Sequence, residues 1–455
     1  MVLDKKYYIY LLCALLAVMI GTITSFSPYI SVALCIVSGV SVLLFVALTG
    51  YHKKTMSFLL TMLLISLYLF PDITISGLGF RFDDFLAIFM SFGLLFLVAK
   101  SKATDAIQAP IVFKWLVIYL IYSGAISTVA LLFGELESIY LLFFVKEIQY
   151  FVYLVACYYL IKSYPKFDTT FRKAFSILSA VTILWGIYQL LTGNIRGYYG
   201  IGIISNQTPS QSGILLLMTT LMLLYFSIST TKKHSQLFFL ISALLAAAMT
   251  IATISRTAIL GLVAIFGLYI FFSMFRRKWN HKKIAISIFL VLAVIPLSYQ
   301  MISSMIASVF ERFSRFGHSA NYRWNNWEYF LSHSDTLGHI FGNGKGFMQV
   351  IVGNFTLSAD NMYVRLLVEV GAIGLALWMI FIFSILFYSL VNIKKSFNES
   401  MFLMILTLLF MITSVTQESY LVSIQGSMYW LLTGYFLAKI SLKKEKLATD
   451  SGIAK

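Results

Sequence analysis

About fourteen apolar stretches, most of roughly the 17 to 25 residues a membrane span needs, run through this chain between short charged loops, and they leave it one solvent to fold in. They lie near 7–26, 29–49, 56–70, 84–99, 112–133, 139–161, 171–192, 208–229, 236–254, 257–275, 284–303, 362–391, 401–416 and 420–440. In a bilayer every backbone polar group must be satisfied within the protein, so stretches of this length form helices. Composition agrees: 60% of the 455 residues are hydrophobic, 11% are charged and mean hydropathy is +0.87. The expected fold is all-α, a polytopic integral membrane protein of about 12–14 transmembrane helices, one membrane domain over 1–455. A single long extracytoplasmic segment, 304–361, is inserted between two spans.

A net charge of +16 raises nucleic acid as a partner. The charge sits in short loops between apolar runs, which is the pattern of the positive-inside rule, so no nucleic acid is expected. The N-terminus carries Asp4, Lys5 and Lys6 before an apolar run without a small-residue cleavage site, and reads as a retained span. Cys13, Cys35 and Cys157 all fall in apolar segments and fit neither a disulfide framework nor a zinc site.

With both termini cytoplasmic, every lysine except Lys146 and Lys345 falls in or at the edge of an inner segment. Arginine runs the other way. Arg172, Arg276 and Arg277 are inside; Arg81, Arg196, Arg256, Arg312, Arg315, Arg323 and Arg365 are outside or just beneath the outer face. Bulk positive charge explains the lysines. A planar guanidinium that grips phosphate with two parallel hydrogen bonds explains arginines sorted to the other side.

Four places combine these arginines with other chemistry. Arg196 lies in an outer loop of glycines and tyrosines, where missing side-chain bulk lets backbone approach a sugar or diphosphate. Arg256, between Ser255 and Thr257, sits at the outer boundary of a span. In the long outer segment Val309, Phe310, Phe313 and Phe316, then Trp324, Trp327 and Leu331, recur at helical spacing. They predict two amphipathic helices on the membrane surface, with Arg312 and Arg315 opposite the phenylalanines and Arg323 nearby. Finally Asn361, Arg365 and Glu369, spaced by four, put a polar stripe on one helix face beneath Asp360. That stripe is either a structural Arg365–Glu369 pair with Asp360 as helix cap, or a site in which Asp360 deprotonates a hydroxyl and Arg365 holds phosphate.

Other signals are weaker. Gly342-Asn343-Gly344-Lys345-Gly346 lacks the Ser or Thr and the strand–helix setting of a phosphate loop. His318, His333 and His339 have no metal-ligand spacing. Lys146 and Glu147, adjacent inside a span, point in different directions and are expected to pair with other helices.

At these residues the chain resembles the O-antigen polymerase and ligase superfamily of bacterial membrane glycosyltransferases. The landmarks are the Arg196 loop leading to Ser205-Asn206-Gln207 and the turn Ser255-Arg256-Thr257-Ala258-Ile259-Leu260-Gly261-Leu262. Two more follow: Tyr322-Arg323-Trp324 with Trp327 and the later glycine–lysine run, and Asp360-Asn361-Met362-Tyr363 with Glu369, Gly371 and Gly374. Together they cover roughly 190–375. The resemblance implies a helical C-type glycosyltransferase in the bacterial cytoplasmic membrane. Its active site would be extracytoplasmic and its substrate a glycan on undecaprenyl diphosphate, with no cofactor. Membrane lipid, a chain-length regulator and a flippase are the partners it implies. Asp360-Asn361 stands where ligases of the superfamily carry His-Asn, which favours a polymerase of O-antigen, capsule or exopolysaccharide. A ligase acting on another acceptor is the alternative within the class, and a lipid-linked oligosaccharide flippase the alternative outside it. A flippase would show paired repeats and mid-membrane charges on several helices; this sequence has no clear repeat and few mid-span charges. Asp360, Arg256 and Arg323 are the expected catalytic residues. Arg196, Arg312, Arg315, Arg365, Asn361, Glu369 and Ser255 are the expected substrate contacts, and no metal is expected.

Overall fold

A computed structural model describes residues 52–70, 73–75, 78–80, 82–84, 86–87, 89–91, 94, 110–134, 136, 140–192, 201–203, 209–274, 316–352, 359–417 and 423–450. The expected spans at 7–26, 29–49 and 284–303, and the first outer amphipathic helix up to Arg315, lie outside them.

The protein is an all-α membrane protein. In chain order the helices are α1 (His52–Leu69), α2 (Ile111–Leu132), α3 (Leu141–Ser163), α4 (Pro165–Thr192), α5 (Pro209–Ser229), α6 (Lys233–Ala252), α7 (Arg256–Met274), α8 (Phe316–Ser332), α9 (Thr336–Phe341), α10 (Phe347–Val352), α11 (Met362–Asn392), α12 (Phe397–Thr416) and α13 (Ser423–Asp450). Proline marks three starts. Pro110 immediately precedes α2, while α4 and α5 open on Pro165 and Pro209, where a missing N–H costs nothing. Among the described residues seven helices, α2 to α6, α11 and α12, are long and apolar enough to cross a membrane. One feature was unexpected: β1 (Ile73–Ile75) and β2 (Leu78–Phe80) pair as a short antiparallel ribbon after α1.

Enclosure varies across the bundle. α5 lies at its centre, packed by α6, α7, α12 and α13. α2 lies on the rim and turns Ile111, Val117, Ile121 and Leu132 outward, the apolar face lipid requires. Between them an aromatic cluster fills the middle: the rings of Phe381 and Trp430 stack at 5.3 Å, and Trp378 meets Tyr119 at 5.1 Å.

The two ends of the bundle differ in charge. At one end Lys53 donates to the Ser163 carbonyl, Lys162 pairs with Glu445, Lys443 with Glu399 and Lys439 with Asp168. At the other end lie Arg256, Arg323 and the described part of 304–361. The tail beyond 440 is not a loose extension: α13 continues through it to Asp450.

The segment that leads into α11 has its own small core. Phe330, Met348, Val352, Ala359 and Val368 are buried together, with Trp327, Leu331 and Val364 against them. Trp324 does not join them. It is 65% exposed, because the buried face of α8 runs through Trp327, Phe330 and Leu331 instead.

Candidate active site

Two helices begin at the arginine-rich end in the same way. The residue before the cap takes a left-handed conformation, and a small polar residue then starts the helix. Ile254 (φ 54°) precedes Ser255 and α7; Asp360 (φ 48°) precedes Asn361 and α11. Among the described residues these are the two non-glycine residues with positive φ. Such backbone costs about 1–3 kcal/mol and persists where its surroundings over-determine it. The Asn361 side-chain oxygen accepts from the Tyr363 and Val364 amides at 2.8 and 3.2 Å. Asn361, not Asp360, is therefore the helix cap, and Asp360 is left to other partners. Ser255 is buried, and its hydroxyl accepts a long bond, 3.4 Å, from the Ala258 amide.

Both helix starts are anchored to the last turns of α12. Thr257 and Thr416 share a hydroxyl–hydroxyl bond of 2.9 Å, and the Tyr363 hydroxyl donates to the Met411 carbonyl at 3.0 Å. Met411 and Thr416 are five residues apart, about 7.5 Å of helix rise, so two positive helix termini open at the same end of the bundle.

The surface segment brings Arg323 onto this place. The Trp327 indole N–H donates to the Ala359 carbonyl at 2.6 Å, fixing α8 against the residue before Asp360. The Arg323 Nε then lies 3.8 Å from the Asp360 Oδ2, with the Arg323 side chain 25% and the Asp360 side chain 45% exposed. A pair this open and this long contributes about 0–1 kcal/mol, so it yields readily to a charged ligand.

Beneath it is a cluster of buried charges. Lys345 Nζ is 3.0 Å from Glu147 Oε1 and 3.7 Å from Glu369 Oε2, with all three side chains fully buried. Arg365 reaches Glu369 Oε1 at 3.0 Å through both Nε and Nη2 and contacts Gln349. Glu147 accepts from Tyr119 and Ser123 at 2.5 and 2.7 Å.

What brings a lysine from the loop between α9 and α10 into this place is glycine. α11 breaks at Gly371 (φ 68°, ψ −179°). At the break, the Glu369 carbonyl accepts from the Gly344 amide, and the Val368 carbonyl from the Asn343 amide and side chain. Gly342, Gly344 and Gly346 all have φ near +90°, and a Cβ on Gly342 would lie 2.5 Å from the Val370 backbone.

Of the residues singled out in the sequence, Asp360, Asn361, Arg323, Arg365 and Glu369 are thus gathered around the start of α11. Arg256 and Ser255 are at the same end, at the start of α7. Arg365 bonds Glu369, and Glu369 also lies against Lys345, within the bundle. Arg196, Arg312 and Arg315 lie outside the described residues. Lys345 and Glu147 were missed as a pair, although Glu147 was expected to find its partner on another helix; the glycine run supplied it. The available signal was the buried stripe Tyr119, Ser123, Ser127 on α2, spaced by four, which receives Glu147 and, through Ser127, the Lys345 amide at 3.0 Å. Lys146 pairs with Asp84 at 3.8 Å. Among the described residues no group of three His, Cys, Asp or Glu is set to hold a metal ion.

Residues 240–379 match the family model for O-antigen ligase. The match, over 140 of the 455 residues, makes this part of the chain similar to the O-antigen ligase and polymerase superfamily. The matched O-antigen ligase segment runs from α6 through most of α11, so it contains Arg256, the outer segment, Asp360 and the glycine–lysine run. Members of this superfamily are glycosyltransferase-like membrane enzymes. Among curated proteins none matches the sequence.

Proposed function

We propose that the protein is a polysaccharide polymerase. It moves a growing glycan from undecaprenyl diphosphate onto a sugar hydroxyl of a second lipid-linked repeat unit, at the outer face of the cytoplasmic membrane. The observation that carries this reading is the meeting of Arg323 with Asp360 at the arginine-rich end, inside the segment that matches O-antigen ligase.

In the reaction the bond between the anomeric carbon and the diphosphate oxygen breaks, and a bond from that carbon to the acceptor oxygen forms. The acceptor proton goes to the Asp360 carboxylate, which is half-exposed at the mouth of α11. Negative charge grows on the departing diphosphate. Arg256 and Arg323 are positioned to meet it, next to two helix N-termini that favour anions. Arg196, Arg312 and Arg315 are further diphosphate or glycan contacts in the proposal. Positive charge held by arginine supplies what a chelated cation supplies in nucleotide-sugar enzymes. Ser255 and Asn361 shape the two helix starts, and Arg365 and Glu369 support the second from below. The lysine-rich end faces the cytoplasm by the positive-inside rule.

Transfer to a different acceptor is the second reading, favoured by the description of the matching family as a ligase. Purified protein incubated with lipid-linked repeat units alone separates the two. Polymer ladders support the polymerase; products that form only when a second acceptor is added refute it. In a polymerase-null strain, long ladders from a normally expressed Arg256→Ala variant would remove Arg256 from the site.

A further inference from the structure

We propose that Lys345 is a positioning residue for the catalytic end of α11. Its charge, set between Glu147 and Glu369, holds residues 362–370 as a rigid lever whose tip carries Asp360.

The break at Gly371 separates the first nine residues of α11, about 13 Å of helix, from the membrane-crossing remainder. That short piece has its own attachments. At its tip are Asp360 with Arg323 and Tyr363 with Met411. At its base is Glu369, whose carboxylate takes Arg365 on Oε1, the Gly346 amide on the same oxygen at 3.1 Å, and Lys345 beside Oε2. Lys345 in turn is fixed to the rim of the bundle through Glu147 and, by its amide, Ser127. The chain of contacts therefore runs from α2 and α3 through the glycine loop to the base of the lever. Two carboxylates balance two cations, so the group is neutral as a whole.

Energetics say why the arrangement is more than packing. Burying four charges costs desolvation that their attraction only roughly offsets, and well-packed apolar residues would hold a bundle together as well. What ionic and hydrogen-bonded partners add is one geometry. The backbone bonds from Asn343 and Gly344 to the carbonyls of Val368 and Glu369 also reach the lever and survive loss of the lysine side chain. They are the rival explanation of its position.

The inference rests on the proposed function only in placing Asp360 at the reacting centre, and its decisive readout is geometric. In a full-length protein with Cys13, Cys35 and Cys157 replaced by serine, Arg323→Cys and Asp360→Cys are introduced. Cross-linking by a bis-maleimide whose span matches the two side chains replaced is followed by gel mobility in membranes, at matched expression. The background then carries Lys345→Met with Glu147→Gln, which removes one charge of each sign, or Lys345→Arg, which keeps the charge. The expected result is a fall of at least fivefold in cross-linking rate for the double replacement and retention of most of the rate with Lys345→Arg. An unchanged rate in the double replacement overturns the proposal and assigns the lever to the backbone bonds. Independently, with Arg323 and Asp360 intact, Lys345→Met/Glu147→Gln is expected to lower kcat at least tenfold with KM for the lipid-linked repeat within twofold. A wild-type kcat also overturns it. An active Asp360→Asn enzyme alongside a lost cross-link would refute the proposed function while leaving the lever standing.

Discussion

At the scale of single residues, two positions carry backbone that a sequence does not advertise. Aspartate and asparagine tolerate the left-handed region better than other non-glycine residues, so Asp360 suits its place conformationally as well as chemically. Asp360→Asn is therefore the clean test of a proton acceptor: it keeps the backbone and removes the base. It is expected to lower kcat by about 10²- to 10⁴-fold without changing thermal unfolding in detergent. Arg323→Ala is expected to cost about 10²- to 10³-fold, or about 3–4 kcal/mol, in transfer rate, the usual loss for one donor to developing charge. The informative substitution at position 256 is Arg256→Lys, which keeps the charge but loses the guanidinium fork. Polymer length and rate should both fall; a fully active Arg256→Lys would show that charge alone is needed there. The arginines were visible in the sequence because their sidedness was visible. Lys345 was not, because nothing local to it says that its partner is Glu147.

At the scale of elements, α11 is the instructive case. Its polar stripe at 361, 365 and 369 was legible from spacing by four, and the Arg365–Glu369 pair followed from it. The break at Gly371 was not, since glycine within an apolar helix is common enough in membranes to pass without notice. It is the close approach of Gly342 to Gly371 that makes both glycines necessary. A Cβ at Gly371 would sit 2.5 Å from the Gly342 amide nitrogen and the Ile340 carbonyl, at a positive φ besides. Gly371→Ala is expected to destabilise by at least about 2 kcal/mol, read as a lowered unfolding temperature, from left-handed strain plus backbone collision. Gly267→Ala is the matched control. Its Cβ would meet nothing within 4 Å on α7, and alanine favours helix by up to about 1 kcal/mol, so stability should hold or rise. The helical pattern in α8 was likewise legible; Trp327 and Leu331 pack with Phe330 towards the start of α11, and Trp324 stays exposed. Amphipathic spacing admits more than one face until the partner, here Ala359 and the start of α11, is known.

At the scale of the whole molecule, charge sorting in the sequence matches charge sorting between the two ends of the bundle. Lysines close one end by pairing with Glu399, Glu445 and Asp168, and arginines mark the other. Orientation in the membrane follows if the lysine end is cytoplasmic. Single cysteines at Lys53 and Lys443 should then be silent to a membrane-impermeant thiol reagent in intact cells. Cysteines at Tyr322 and Thr336, both exposed, should label. Labelling at Lys53 would invert the orientation and move the candidate site to the cytoplasmic face.

Class, span pattern and the sorting of lysine from arginine follow from the sequence by itself, because each depends on local composition and on the cost of placing polar groups in lipid. Convergence belonged to tertiary structure. Which acid meets Arg323, what brings Lys345 into the bundle, and where α11 breaks are decided by contacts between segments far apart in the chain. At Lys345 and Gly371 burial makes the contacts selective, and no local pattern encodes which distant partner a buried charge will find.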